Sequence, residues 1–546
     1  MLDVIIAGGM VLDGTGNPWF RADVGIAGDR IACIGNLDSA EARLTIRAAG
    51  KVVCPGFIDI HSHSDGSLLQ HNLGLGSLRQ GLTTQVVGNC GHSLAPIRDP
   101  DTTLPKLARE WELEDFELRW SGFAEYLECH QRRGLGINIA PLAGHGTIRR
   151  YALGPEGAGG ERSKVTATEQ LALEREVAAA MEAGAWGLST GLEYPPGRNA
   201  RIEEIIGMCR VVARYGGIYA THMRSEGQAP GIEWLGAVLE ALEIGARAGV
   251  PVNIAHLKAD QRDAWWKAPV VLRLLEEARA RGVQVTADVY PYPFAAVGYL
   301  YSVLPPQAAE AGVPELLMTL RDPQRRMALR EQIDRGVPEW TNPAISFGWG
   351  AIGIVETLHP EDVGKSVEDL AAERGADPFA VCLDLLLQDE GLTRSSVGVM
   401  SEDNIRLMLK HPLTMVSTDG TTVDSFPSAA EPGFPLRKLH PRCLGTYPRV
   451  LGRYVREERL LPIGEAVRKF TSMPAATVGL RDRGLLRAGM YADVVVFDPA
   501  VIAETGTFAD PHRSPAGIEH VLVNGQLAVT EGQATRALAG RVLRRS

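Results

Sequence analysis

Apolar runs that end in a polar residue recur through most of this chain, and they alternate with amphipathic stretches. Apolar residues spaced three and four positions apart predict helices at 168–183, 201–215, 233–248 and 268–281. The apolar runs next to them predict strands at 186–190, 217–222, 252–256 and 283–288. Repeated strand-then-helix units indicate a parallel sheet, and about eight of them indicate an α/β fold of the (β/α)8 barrel type.

The two ends of the chain follow a different pattern, of short strands closed by tight turns. Such strands are predicted at 4–9, 23–31, 492–498 and 518–525, with Gly-Gly, Gly-Asp or Asn-Gly turns beside them. We therefore expect both termini to build one small β-sandwich, from residues 1–51 and 481–546. The barrel, residues 52–480, is inserted between them, with an excursion or small helical subdomain around 300–390.

Composition and charge narrow the possible partners of this chain of 546 residues. The hydrophobic fraction is 45%, the charged fraction is 22%, and the net charge of −10 is spread along the sequence. The sequence has no basic patch, so neither nucleic acid nor an anionic lipid surface is expected as a partner. No apolar run reaches the roughly 18 residues of a membrane span, and the N-terminal run is too short for a signal peptide.

Seven scattered cysteines predict the reducing cytoplasm. The oligomeric state is open, with a homo-oligomer one option.

Candidate metal ligands follow the predicted strands. His61 and His63 end an apolar run, and alternate residues of a strand point to the same face. Alone, this pair is better interpreted as two solvated loop histidines. The strand ends of a parallel barrel meet at one mouth, however, and more candidate ligands end other strands there. These are Cys90, His222, His256 and Asp419. Imidazole and thiolate donors favour Zn²⁺ over Mg²⁺ or Ca²⁺.

Five longer motifs carry a resemblance to a known family. They are PGFIDIHSH at 55–63, GNCG at 88–91, GLSTGL with YPP at 187–196, DVYPY at 288–292, and HPR with GTYPRVLG at 440–452. On these motifs the chain resembles the D-aminoacylase (N-acyl-D-amino-acid deacylase) family of the amidohydrolase superfamily. The resemblance implies a zinc-dependent hydrolase that cleaves the amide bond of small N-acyl-D-amino acids. Some members of the superfamily bridge two metals with a carboxylated lysine on the fourth strand. This chain has no such lysine, because no lysine lies between Lys164 and Lys258. The resemblance implies that Cys90 substitutes for that lysine.

The resemblance also implies a role for each candidate residue. One tightly bound Zn²⁺ is expected on Cys90, His222 and His256. A second metal position, weak or partly occupied, is expected beside His61, His63 and Asp419. Asp419 would take a proton from the attacking water and pass it to the leaving amine. The α-carboxylate of the substrate would be bound by Lys258, Tyr290 and Arg442, with Tyr194 as a further neighbour.

Two departures from the family pattern leave other functions open. The loop that carries Ser428–Gly433 is longer than usual, and the segment Pro293–Gly298 lacks the family's hydroxyl. Both lie at the expected carboxylate end. The alternatives are an amidase or cyclic-amide hydrolase whose substrate has no free α-carboxylate, and a non-catalytic oligomeric scaffold. Glu193 and Glu226 are expected to be solvated loop acids, and His145 a core or loop histidine.

Overall fold

A ring of parallel strands forms the centre of the computed structural model, which describes residues 1–110, 113, 116–159, 164–229, 232–309, 312–336, 342–424 and 439–545. In chain order its strands are Phe57–Asp59, Leu82–Val87, Asn138–Pro141 with Ala143–Gly144, Gly187–Gly191, Ile218–His222, Val252–Ile254, Val285–Val289 and Thr414–Val416. Each strand pairs in parallel with the next. A parallel bridge between Ser62 and Gly420 closes the ring, so the predicted barrel is confirmed.

Helices cover the outside of this barrel. The four predicted helices are confirmed to within one residue at each end, as Ala167–Glu182, Ile202–Arg214, Trp234–Ala248 and Ala268–Ala280. The other helices around the barrel are Ser67–Gln70, Leu75–Leu78, Pro100–Glu110, Phe123–Arg133, His145–Gly159, Glu402–Lys410, Arg442–Arg449, the π-helix Val450–Glu457, Ile463–Phe470 and Ser472–Val478. Short 3-10 turns lie at Gly197–Asn199 and Arg262–Lys267. None of the described helices is long and apolar enough to cross a membrane.

Both chain termini contribute to one nine-stranded sheet beside the barrel. The N-terminal strands are Leu2–Val11, Phe20–Ala27, Arg30–Gly35, Ala42–Arg47 and Val52–Pro55. The C-terminal strands are Val494–Phe497, Ile518–Val523, Gln526–Thr530 and Gln533–Ala534. The two halves join where Val52–Pro55 pairs antiparallel with Val494–Phe497. The boundaries near 51 and 481 stay a prediction.

The excursion between the seventh and eighth barrel strands has a hydrophobic core of its own, which includes Leu300, Leu316, Val367 and Leu383. Its helices are Val313–Arg321, Pro323–Arg335, Pro343–Phe347, Val367–Arg374 and Pro378–Gln388, with 3-10 turns at Leu300–Val303, Pro306–Ala308, Trp349–Ala351 and Pro360–Asp362. Its small antiparallel sheet joins Gly298–Tyr299, Ile352–Glu356 and Arg394–Val397. A two-stranded pair, Gln228–Ala229 with Ile232–Glu233, lies on the loop after the fifth barrel strand.

A buried polar network joins the terminal sheet to the barrel. Arg483 forms an ion pair with Asp493 and donates a hydrogen bond to Asn524 Oδ1 at 2.7 Å. Asn524 in turn donates to Asn138 Oδ1, at the start of the third barrel strand, at 2.8 Å. The side chains of Arg483 and Asp493 are only 2% and 5% exposed. The carboxylate therefore depends on this arginine for its charge compensation.

Replacing Arg483 with leucine is expected to destabilise the fold without touching the barrel mouth. A buried charge that loses its partner costs about 3–5 kcal/mol, because it stays desolvated without compensation. We expect a clearly lower thermal midpoint together with an unchanged content of bound metal. An Arg483→Leu variant that unfolds at the same temperature as wild type would contradict this role. The double variant R483L/D493L removes both charges and is expected to recover much of the loss.

Candidate metal centre

Strand ends bring a cysteine and three histidines into contact at the mouth of the barrel. Cys90 Sγ lies 3.3 Å from His61 Nε2 and 3.4 Å from His256 Nε2. His222 Nδ1 lies 2.9 Å from the same His256 nitrogen. These residues lie at the ends of the first, second, fifth and sixth strands of the barrel. Residues that are far apart in the sequence therefore converge on one small volume.

The described residues offer three overlapping groups of possible metal ligands, each with its donor atoms within 4.8 Å of one another. The groups are His61, Cys90 and His256; His61, His63 and Asp419; and His222, Glu226 and His256. All of the metal residues predicted from the sequence belong to at least one group. His61 Nε2 lies as close to Cys90 Sγ as His256 Nε2 does, so His61 is a member of two of the three ligand groups.

The backbone is left-handed at three of these residues. The φ angles are 53° at Cys90, 34° at His256 and 44° at Asp419. Such conformations cost a non-glycine residue of order 1–3 kcal/mol, and they are concentrated at functional sites. The GNCG turn supports this geometry at Cys90, because a Cβ on Gly88 would lie 2.1 Å from the carbonyl oxygen of Leu142. The turn therefore packs against the third strand only with glycine at that position.

The charges in this cluster fit a metal cation. Such a cation would take the place of protons on the imidazoles and would compensate the negative thiolate. Burial raises the pKa of the Cys90 thiol, but His61 and His256 outweigh it and hold that pKa well below its usual value. Burial lowers the pKa of His61, but Cys90, Asp288 and Asp419 raise it well above its usual range. Both pKa directions favour a thiolate at Cys90 with positive charge beside it. A thiolate with imidazoles at this spacing is a donor set that fits Zn²⁺.

Asp419 lies between two histidines and an arginine. Its Oδ1 is 3.1 Å from His63 Nε2 and 3.4 Å from His61 Nε2. Arg442 Nη1 donates to its Oδ2 at 2.8 Å. Burial opposes ionisation of this carboxyl, but Arg442, His61 and His256 hold its pKa well below the usual range. Asp419 is therefore a carboxylate with one oxygen directed at the candidate metal ligands.

The four predicted substrate residues lie around this centre, but their contacts differ. The Tyr290 ring lies 4.7 Å from the Arg442 guanidinium carbon and 5.8 Å from Lys258 Nζ. Lys258 Nζ pairs with Glu226 Oε2 at 2.5 Å. Lys258 and Arg442 therefore lie near the same buried aromatic ring, and each is paired with a carboxylate, Glu226 or Asp419. Tyr194 instead donates its hydroxyl to the backbone oxygen of Cys90 at 2.6 Å, so it supports the GNCG turn.

The prediction of a solvated loop acid is wrong for Glu226 and holds in part for Glu193. Glu226 is not a solvated loop acid, because it is 2% exposed and lies against Lys258 and His256. Glu193 is half-exposed, but its carboxylate accepts a hydrogen bond from His222 Nε2 at 2.7 Å. The one sequence signal for Glu226 was its position four residues after His222. His145 lies in the core and pairs with Glu204, in agreement with the prediction.

Asp288, for which the sequence predicts no role, contacts two of the candidate ligands. Its Oδ1 lies 3.3 Å from His61 Nδ1 and accepts hydrogen bonds from the His256 backbone nitrogen and the Ser417 hydroxyl, while its Oδ2 accepts from Asn253. A buried carboxylate on the outer nitrogen of a metal-binding histidine fixes the orientation of the ring. The sequence feature that points to Asp288 is its position at the start of the DVYPY motif.

The two departures from the family pattern have different outcomes. Ser428–Gly433 lie outside the described residues. In Pro293–Gly298, the centroid of the Phe294 ring lies 4.7 Å from that of the Phe508 ring. The backbone carbonyl oxygen of Phe294 lies 3.1 Å from His440 Nε2. This segment therefore packs against the C-terminal part of the chain and offers no hydroxyl toward Arg442.

Comparisons with known proteins agree with this geometry. The sequence profile described as "Amidohydrolase family" matches residues 45–529. The chain is 38% identical over 544 residues to N-acyl-D-glutamate deacylase of Alcaligenes xylosoxydans xylosoxydans, covering 100% of this chain and 97% of that protein.

Two solved structures are similar over the full chain. One is N-acyl-D-glutamate deacylase from Bordetella bronchiseptica, complexed with zinc and a phosphonate mimic of the tetrahedral intermediate. It has a TM-score of 0.75 at 34% identity and covers 100% of this chain and 99% of its own. The other is a D-aminoacylase described by its binuclear metal centre, with one-metal activation and second-metal attenuation. It has a TM-score of 0.76 at 35% identity and covers 100% of both chains.

Proposed function

Because this chain belongs to the amidohydrolase family, we propose that it is a zinc-dependent hydrolase of N-acyl-D-amino acids that releases a carboxylate and an amine. The observation that carries the proposal is the contact of Cys90 Sγ with imidazoles from two other strands, at 3.3 and 3.4 Å. The similarity to a deacylase complexed with zinc and a reaction-intermediate mimic supports the same chemistry.

The residues at the mouth fit a zinc ion in composition and charge. Cys90, His222 and His256 would hold the tightly bound ion, and His61, His63 and Asp419 would line a weaker second position. When bound, zinc lowers the pKa of a water molecule toward about 7 and polarises an amide carbonyl. A similar D-aminoacylase is described with one-metal activation and second-metal attenuation, which supports this division.

Asp419 is the proposed proton carrier. Arg442 holds its Oδ2, while its Oδ1 faces His63 and His61 and is the oxygen placed to accept a proton from the attacking water. The same oxygen would then give the proton to the amine nitrogen as the amide bond breaks. The charges around Asp419 hold its pKa below the usual value, so the group is the ionised carboxylate that a proton acceptor must be.

Lys258, Tyr290 and Arg442 are the proposed binding surface for the α-carboxylate. Two cations over one aromatic ring attract a carboxylate, and the buried position strengthens that attraction by excluding water. In the free protein each cation already faces an internal carboxylate, Glu226 for Lys258 and Asp419 for Arg442. That pairing and the missing hydroxyl in Pro293–Gly298 favour a second candidate function, an amidase for substrates without a free carboxylate.

The deciding experiment is amine release from matched N-acyl-D- and N-acyl-L-amino acids, with the carboxamide of the D-substrate alongside. We expect turnover of the D-acid and little or none of the L-acid. Carboxamide turnover equal to that of the acid would favour the second candidate. Zinc-loaded protein that hydrolyses none of the three would contradict the proposal.

We also assign the protein to the cytoplasm. All seven cysteines are free in the structure, and six of them are buried. Unpaired buried thiols fit a reducing compartment. Association into a homo-oligomer stays a prediction.

A further inference from the structure

Glu226 is a buried acid in contact with two residues of the proposed centre. It lies on the loop after Ile218–His222, four residues beyond His222. Its carbonyl oxygen accepts a hydrogen bond from the backbone nitrogen of Asp260 at 2.7 Å. That bond ties the loop of the fifth strand to the loop of the sixth, which carries His256 and Lys258. Glu226 is therefore held at a fixed distance from both.

The two carboxylate oxygens of Glu226 face different partners. Oε1 lies 2.9 Å from His256 Nδ1, and Oε2 lies 2.5 Å from Lys258 Nζ. The other nitrogen of the same imidazole, Nε2, faces Cys90 Sγ at 3.4 Å. Glu226 thus backs the His256 ring on the side opposite the thiolate. Oε1 is buried and has no aligned hydrogen bond among the described residues, so it is an acceptor in need of a donor.

We propose that Glu226 is a positioning residue that orients His256 toward the metal and holds Lys258 beside the substrate. The inference rests on the proposed function. A histidine that binds a metal through Nε2 carries its proton on Nδ1, and a carboxylate at that nitrogen fixes the ring. Glu226 Oε1, 2.9 Å from Nδ1, is a carboxylate acceptor within reach of that proton, although Lys258 Nζ lies 3.1 Å from the same nitrogen. Its Oε2 at the same time restrains the flexible side chain of Lys258.

A direct role of Glu226 as a metal ligand fits the contacts less well. Glu226 does form one of the candidate ligand groups, with His222 and His256. Its Oε2 is already paired with the Lys258 ammonium, whose positive charge would repel a metal cation at that position. The carboxylate also faces the His256 nitrogen that points away from Cys90. Both contacts favour a Glu226 that orients His256 over a Glu226 that binds the metal itself.

The chain offers a matched control in Glu204. This acid is also buried, and its Oε1 contacts a histidine and an arginine, His145 Nε2 at 2.9 Å and Arg149 Nε at 3.0 Å. Among the described residues, the candidate metal groups do not include Glu204. Glu204→Gln therefore reproduces the loss of a buried negative charge without touching the proposed centre.

The test is the zinc dissociation constant of purified protein, measured by competition with a chromophoric chelator. We expect Glu226→Gln to weaken zinc binding by about 10–100-fold, the usual effect of losing such a supporting group. Glu204→Gln is expected to lower the thermal midpoint and to leave zinc affinity unchanged. Equal zinc affinity in wild type and Glu226→Gln would overturn the inference.

A double variant separates positioning from simple charge neutralisation. In E226Q/K258M the buried ammonium is absent, so the protein folds without an unpaired cation. Zinc affinity that stays low in this variant supports positioning of His256, and full recovery would overturn it. Wild-type protein that binds no zinc would instead contradict the proposed function itself, so the two failures are distinguishable.

Discussion

Replacing Cys90 with alanine is expected to remove the tightly bound zinc and to lower kcat/KM by roughly a thousandfold or more. The thiolate contacts imidazoles from two other strands, and its negative charge is a strong local attraction for a cation. A metal that polarises the scissile carbonyl contributes several kcal/mol to transition-state stabilisation, which corresponds to about 10³ in rate. Zinc content after extensive dialysis and the rate of amine release are the two measurements.

Two further variants make that result specific. Cys209→Ala removes a buried thiol whose pKa is raised by burial, away from the mouth, and is expected to keep its zinc. His61→Ala is expected to lose less zinc than Cys90→Ala, because His61 is assigned to the weaker position. His61 Nε2 lies as near the thiolate as His256 Nε2 does. Distance alone therefore does not favour either histidine as the zinc ligand, and the zinc content of the two variants decides between them. Greater zinc loss from the His61 variant would reverse the assignment.

Replacing Asp419 with asparagine is expected to lower kcat by about 10²–10⁴-fold while the tightly bound zinc remains. Asparagine has nearly the same size but cannot accept a proton at the position of Oδ1. Steady-state rates and zinc content of the same preparation measure both parts of the prediction. Near-normal kcat in this variant would exclude Asp419 as the proton carrier. Loss of zinc together with activity would instead make Asp419 a principal ligand.

The pH profile provides a control for that role. Burial raises the pKa of Asp419, but Arg442 leads the charges that hold it well below the usual value. With Arg442→Gln the pKa of this carboxyl should rise, since burial still favours the neutral form. The acidic limb of kcat should therefore move to higher pH. A limb that stays in place would mean that another group titrates there.

The sequence was sufficient for the barrel because its signals are local and repeated. Each helix from Ala167 to Ala280 has apolar residues three or four positions apart, and the apolar runs between the helices lead into polar residues such as His222 and Asp288. Since a parallel barrel gathers its strand ends, the candidate ligands could be expected together. The convergence of Cys90, His222 and His256 follows from that rule.

The supporting residues could not be predicted in the same way. Glu226 resembles any loop acid until the loop that carries His256 and Lys258 packs against it. Asp288 likewise acquires its role from Ser417, Asn253 and His256, which lie on neighbouring strands or just beyond them. Such contacts depend on distances between strands, which no short pattern encodes. The family motifs pointed to the ligands but not to the carboxylates behind them.

A zinc titration of metal-free protein tests the central claim most directly. Metal is removed with a chelator, and amine release from an N-acyl-D-amino acid is followed as zinc is returned. We predict no activity without metal and a rise that is complete near one zinc per chain, as expected for a single working position on Cys90, His222 and His256. Full activity in the metal-free protein would contradict the claim.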